Sequence, residues 1–402
     1  MSQRARFVVL AIQHVLAMFG ATVLVPLLTG LHPAVALFTA GVGTLIFHFI
    51  TKRKVPVFLG SSFAFIAVIN VVNQKFGGLE YATGAIIVAG GLYLILALLV
   101  MLFGVERIRS FFPPIVTGPM IMVIGLTLSP TIIQSNILSP DLPGTVGQRW
   151  IIALVVLAVM IIVSVFAKGF FKLVPILFGI GAGYILSLAL GMVDVTPIQQ
   201  AQWFGLPPFI LPKFHWGAIS LIAPIAIVTF MEHIGDITTN GAVIGKDLIK
   251  DPGLHRTLIG DGLATIFAGA LGGPANTTYS ENTGVLAVTK VYNPGILQLA
   301  AVFAIILALV GKFGAVLQTI PAAVMGGVSI LLFGMIASIG LRTISDARLD
   351  FTNSRNLIIV SLILVMGLSG VILPLWGEAQ LSGLSLAAVI GIILNKILPE
   401  NI

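Results

Sequence analysis

Five ionisable side chains stand out in a chain that is otherwise mostly apolar: His14, Glu232, Asp236, Asp261 and Glu281. A charged group at bilayer depth is costly, and one that persists there faces a cavity, a partner or a transported solute. Glu232 and Asp236 are four residues apart, so a helix places them on one face. Glu281 sits in Asn276-Thr277-Thr278-Tyr279-Ser280-Glu281-Asn282-Thr283-Gly284-Val285, a polar stretch just ahead of a short apolar run. An acid held there points to the binding of something polar. Blander readings stand beside this one. His14 serves equally well as hydrogen-bonded packing, and Asp236 as partner to a hydroxyl or a backbone group. His233 lies off the Glu232–Asp236 face and reads as packing. Asp261, near the inner end of its segment, reads as a cap or loop anchor.

The elements that must position these groups follow from composition. The chain has 402 residues, 58% hydrophobic and 9% charged, with mean hydropathy +1.11. A soluble domain is about 25% charged, so this is a polytopic membrane protein. A span needs about 20 apolar residues, which leaves room for more than ten. The first apolar run is too long for a signal peptide and lacks a small-residue cleavage site, so it reads as the first span. Cysteine is absent, which rules out disulfides and thiolate metal sites. The net charge of +7 reports topology in such a chain and does not imply a nucleic-acid partner.

Apolar runs and their interruptions give fourteen segments: 7–27, 33–50, 56–72, 81–103, 111–128, 150–167, 173–191, 217–240, 256–272, 279–290, 294–311, 319–341, 354–372 and 382–397. Alternating sides from an inner N-terminus leaves only Lys75, Arg149, Lys213 and Lys312 outside, and the other seventeen of the 21 Lys and Arg inside. That asymmetry supports fourteen spans with both termini cytoplasmic. Gly311-Lys312-Phe313-Gly314 reads as a tight turn.

Segments three and ten are odd. The third opens on Pro56 and Gly60-Ser61-Ser62, and the tenth is short and follows Gly272-Gly273-Pro274. Each is third within its set of seven. His14 and Phe63 are offset by 218 from Glu232 and Glu281, and Phe111–Gly118 echoes Thr319–Gly326 at an offset of 208. Seven spans per copy is an odd number, so the second copy must lie inverted. Inverted repeats with paired, interrupted segments are the signature of a secondary transporter. Irregular backbone at that depth is tolerated only against protein or a polar cavity, where helix N-termini become donors. Gly60-Ser61-Ser62-Phe63 and Thr278-Tyr279-Ser280-Glu281 therefore read as short extended pieces leading into half-helices that meet near the midplane.

At these residues the chain resembles the nucleobase–ascorbate transporter family, along essentially its whole length. The family signature, Gln or Glu then Asn-x-Gly-x-x-x-x-Thr-Lys/Arg, is matched in full by Glu281-Asn282-Thr283-Gly284-Val285-Leu286-Ala287-Val288-Thr289-Lys290. Gln13-His14 with Ala17–Thr22, Gly60–Phe65 and Asp251–Arg256 match as well. The resemblance implies an all-α fold of fourteen transmembrane segments in a 7+7 inverted repeat, with spans 3 and 10 each a short strand plus half-helix. It implies a core domain (1–104 and 217–314), a gate domain (105–200 and 315–402), and elevator-like movement, often in a dimer, in the bacterial plasma membrane. It further implies that Glu232 and Glu281 hold the nucleobase, with Phe63, Ser62 and Ser280 around it and His14 and Tyr279 orienting the carboxylates. Neither cofactor nor metal is expected. Two departures stand out. Ser280 replaces a common Gly, and Asp236 stands where some uracil-carrying members have His. Phe333 also stands where some relatives have Tyr.

The chemistry fits uracil, whose edge alternates N–H and C=O. An ionised carboxylate only accepts hydrogen bonds and suits the N–H groups, whereas purine carriers of the family tend to have Gln at the signature position. A neutral solute cannot be concentrated by voltage. Burial disfavours a charged carboxyl, so a Glu that must be protonated would link uptake to the proton gradient. Glu232 is the candidate, with Asp236 and His14 as relays. A xanthine or other purine carrier remains the alternative. An intramembrane aspartyl protease would need Gly-x-Gly-Asp, and Leu258-Ile259-Gly260-Asp261 lacks the first Gly. An anion carrier of similar architecture is disfavoured by a carboxylate pair.

Overall fold

The computed structural model describes residues 2–399; residue 1 and residues 400–402, the outermost ends of the expected first and last domain segments, lie outside the described residues. In chain order the elements are α1 (Gln3–Thr29), α2 (Pro33–Ile50), β1 (Leu59–Ser61), α3 (Ile66–Phe76), α4 (Leu79–Phe103), α5 (Pro114–Ile133), α6 (Val146–Phe166) and α7 (Pro175–Ala189). They continue with α8 (Ile225–Ile244), α9 (Leu254–Ala270), β2 (Asn276–Thr278), α10 (Ser280–Thr289), α11 (Pro294–Leu309), α12 (Ala322–Asp346), α13 (Ser354–Leu368), β3 (Ile372–Pro374), β4 (Gln380–Ser382) and α14 (Gly383–Ile397). A short helix, Trp216–Ile222, leads into α8.

Each of the fourteen expected segments holds one of these helices. Seven of them are long and apolar enough to cross a membrane: α1, α2, α4, α5 with its continuation to Leu138, α6, α8 with the helix before it, and α12. Helices α3, α7, α11, α13 and α14 are apolar but shorter. Helices α9 and α10 carry the polar residues that the fold turns inward. Local signals set the ends. Ser2 caps α1 through its side chain and Gly30, at φ 81°, closes it. Thr145 and Gln148 form a reciprocal capping box on α6. Pro33, Pro114, Pro175 and Pro294 begin helices where no N–H is needed. Gly311–Gln318 is a short helix and not the tight turn read from its glycines, and Lys312 donates to the carbonyls of Ile198 and Gln199.

The packing pairs repeat when seven is added to each helix number. Helix α4 packs on α9 as α11 packs on α2; α6 packs on α7 as α13 packs on α14; α6 packs on α12 as α13 packs on α5. The heaviest helix–helix packing stays within α1–α4 with α8–α11, or within α5–α7 with α12–α14, while α8 also packs on α5 and α14. Outward faces are apolar, as on α6 (Ile151, Leu154, Ile162, Val165, Phe166) and α13 (Leu357, Val365), which is what a hydrocarbon solvent demands.

Candidate functional site

The site grows from β1 and β2, which pair antiparallel with Leu59 opposite Thr278, Gly60 opposite Thr277 and Ser61 opposite Asn276. All six residues are buried. Three-residue strands leave many polar groups exposed to an apolar interior, and the surrounding helices satisfy them. Thr44 Oγ1 of α2 accepts from Leu59 N at 2.9 Å, and Thr265 Oγ1 of α9 accepts from Asn276 N at 3.2 Å. His48 Nε2 donates to Val57 O, Asn240 Nδ2 to Pro56 O, and Asn276 Nδ2 to the carbonyls of Thr39 and Ala264. Tyr279 closes the crossing: its hydroxyl donates to Ser61 O at 2.9 Å, and its ring lies where a Cβ on Gly60 would meet it at 2.3 Å. No larger residue fits at Gly60 without moving that ring.

Each strand then turns into a helix that starts without a side-chain cap, at Ser62 before the turn Phe63–Phe65 and at Tyr279 before α10. First-turn N–H groups at both starts are therefore left for another acceptor. Ser62 Oγ is buried and makes no hydrogen bond to protein. Phe63 is half-buried, with its ring edge-on to Phe333 of α12 at 6.3 Å.

The carboxylates come from the second half of the chain. Glu232 of α8 and Glu281 in the first turn of α10 are half-buried, and Ser280 beside them is exposed. Asp236, Glu281 and Asp261 lie within electrostatic reach of Glu232. Asp236 is tied down on both oxygens: Thr278 Oγ1 donates to Oδ2 and Ser280 Oγ to Oδ1, each at 2.8 Å. The two departures from the family pattern, Asp236 and Ser280, are thus one hydrogen-bonded unit. Asn282 Nδ2 donates to His14 Nδ1 (3.1 Å) and to His14 O (3.0 Å) and so fastens α10 to α1. That contact makes His14 Nδ1 an acceptor and leaves the ring proton on Nε2.

Asp261 is not at a helix end. It lies in the middle of α9, fully buried, with Oδ2 3.1 Å from His233 Nδ1, while His233 Nε2 is 2.9 Å from Thr257 Oγ1. The capping role read from its position near a segment end is corrected accordingly, because α9 begins at Leu254 and runs past it for more than two turns. His233, off the Glu232–Asp236 face, is its partner. Tyr93 of α4 donates to Thr229 one turn before His233 and joins the same interior. Sequence reasoning missed Thr278 and Asn282 as positioning residues. Asn282 stands in the signature itself; Thr278 has no local signal beyond its place beside Tyr279.

These features define a membrane carrier built around two crossed, interrupted segments. Residues 5–375 match the family model described as Permease family (Xan_ur_permease), and the chain belongs to that family. It is 46% identical over 400 residues to a protein named uracil permease from Bacillus caldolyticus, covering 98% of this chain and 92% of that one. It is 43% identical over 389 residues to the uracil permease of Escherichia coli (strain K12), covering 96% and 90%. Among solved structures it resembles the transmembrane domain of a cyanobacterium bicarbonate transporter, BicA, with TM-score 0.63 and 13% identity over 97% of this chain and 96% of that one. At that identity the likeness speaks for the fold alone. The protein is a multi-pass membrane permease.

Proposed function

We propose that this permease imports uracil across the bacterial plasma membrane together with protons. The observation that carries the reading is a pair of half-buried carboxylates, Glu232 on α8 and Glu281 in the first turn of a half-helix that starts without a side-chain cap. Carboxylates accept from the N–H groups of uracil, and backbone N–H groups donate to its carbonyls. The names of the relatives above agree with this choice of solute. Ser62, Phe63, Ser280 and Tyr279 border the solute or brace the backbone that does. Glu232 carries the proton, with Asp236 and His14 as relays.

The paired packing supports a 7+7 inverted repeat of fourteen spans, and the uneven distribution of Lys and Arg supports both termini being cytoplasmic. On this reading the core domain is 1–104 with 217–314, and the gate domain is 105–200 with 315–402. The core slides as a unit against the gate, and two copies associate in the membrane. The test is labelled uracil uptake into proteoliposomes under an imposed inward proton gradient, with unlabelled xanthine as competitor. Accumulation that a protonophore abolishes and xanthine leaves alone is the expected result. Block by xanthine moves the solute to the purine class, and gradient-independent equilibration removes proton coupling.

A further inference from the structure

Two arginines stand at the beginnings of equivalent helices. Helices α6 and α13 start at Val146 and Ser354, separated by the same 208 residues at which Phe111–Gly118 echoes Thr319–Gly326. Arg149 is the fourth residue of α6 and Arg355 the second of α13, and both are buried, at 2% and 8% exposure. A guanidinium offers five N–H donors in a flat fork and accepts nothing. Arg355 spends its fork on protein. Its Nε donates to Leu398 O at 3.2 Å, Nη1 to Asn356 Oδ1 at 3.4 Å, and Nη2 to Asn395 O and Oδ1 at 2.8 Å each, which closes the end of α14. Arg149 does not. It donates from Nη1 to Leu142 O at 2.7 Å, and its buried Nε has no partner. Among the described residues no carboxylate forms an ion pair with it.

A buried cation without a counter-charge is costly, because burial strips away the water that would solvate it. Arg149 lines a cavity of ≈ 310 Å³, at the small end of the range for ligand sites. Facing it across the cavity is the start of α12. Ala322 and Ala323 line the same space, and this 25-residue helix begins after Pro321 with no side-chain cap. Its first N–H groups and the positive end of its dipole favour an anion there. The one acid among the lining residues is Asp194. It is exposed, and its Oδ1 accepts from Thr196 N at 2.9 Å. The cavity is separate from the carboxylate site: Phe333, which packs on Phe63, is ten residues beyond Ala323, about 15 Å along α12.

We propose that this cavity between the starts of α6 and α12 binds a phosphate group, carried by a lipid headgroup or free in solution. A planar fork pairs with an oxyanion through two parallel hydrogen bonds. A carboxylate has only two oxygens, and the fork occupies both. A phosphate keeps further oxygens for the amides at the start of α12. Bound there, it supplies the counter-charge that Arg149 lacks and ties α6 to α12 at the end that the charge asymmetry places outside. The site is independent of which solute the permease carries.

The test uses the full chain, stripped of lipid in a maltoside detergent and melted in chloride buffer of constant ionic strength. Two probes are titrated separately: inorganic phosphate, and dihexanoyl phosphatidylglycerol below its micelle concentration. The unchanged chain is expected to gain about 2 °C in melting temperature from at least one probe. Arg149→Gln is expected to gain nothing, and Arg149→Lys, a point charge without the fork, less than half as much. Asp194→Asn removes the negative charge from the rim and keeps an oxygen for Thr196, so the midpoint of the titration is expected to fall about threefold. A response to inorganic phosphate assigns a soluble anion, and a response to the lipid alone assigns a headgroup. The proposal is overturned if neither probe stabilises the unchanged chain, or if Arg149→Gln responds in full. Should Arg149→Gln fail to fold, an unshifted midpoint in Asp194→Asn overturns it.

Discussion

Strand β1 with its half-helix and strand β2 with α10 occupy matching places in the two halves, and their chemistry differs. After the first crossing come Ser62, Phe63, Ala64 and Phe65; after the second come Ser280, Glu281, Asn282 and Thr283. Both supply uncapped backbone N–H groups. Only the second supplies a carboxylate and an amide, and only its helix partner α8 carries Glu232 and Asp236. The first half contributes an apolar ring and a histidine that is itself held by Asn282. A repeat thus fixes backbone geometry twice, while side-chain chemistry is free to diverge so that one copy bears the charge and the other the wall.

That contrast is open to attack. The largest expected effect is Glu281→Gln, which replaces an acceptor with a mixed group at a half-helix start and lowers uracil uptake about a hundredfold. Phe63→Leu, at the matching place, costs about threefold. Equal losses would show that the halves share the binding equally. Next comes Glu232→Gln. It is expected to keep solute exchange between loaded vesicles and to lose accumulation driven by a proton gradient, and retained accumulation would remove Glu232 as the proton carrier.

Within the strand pair, Gly60→Ala forces a methyl into the Tyr279 ring and lowers stability by about 1–3 kcal/mol, read as a drop in melting temperature in detergent. Its opposite, Thr277→Val, removes a buried hydroxyl that has no hydrogen-bond partner and is expected to be neutral or slightly stabilising. Ser280→Ala is expected to have a modest effect on solute binding. Thr278 still holds Asp236, so the loss is about 0.5–1.5 kcal/mol of binding free energy. A double-mutant cycle with Asp236→Asn should show that the two changes are not additive, because they break one contact.

Much of this molecule is legible in the sequence alone. Hydrophobicity and its interruptions are local, so the membrane class, the fourteen segments and the two broken ones can be read residue by residue. The acids stand out for the same reason: a carboxylate among apolar residues is conspicuous whatever it contacts. Local reading fails where meaning depends on a distant partner. Asp261 resembled a cap because it stands near a segment end, yet the crossing of α8 and α9 buries it against His233. Asp236 and Ser280 looked like two separate departures, and only the return of α10 beside α8, 44 residues on, makes them one contact. His14 and Asn282 meet across 268 residues, and Lys75 and Gln380 across 305. The sequence by itself determined which segments are apolar and helical and where polarity must be satisfied, because transfer from water to hydrocarbon acts on each segment separately. Which polar groups satisfy one another was decided by the tertiary structure, because hydrogen bonds act over about 3 Å and only the packing of helices from both halves brings their partners that close.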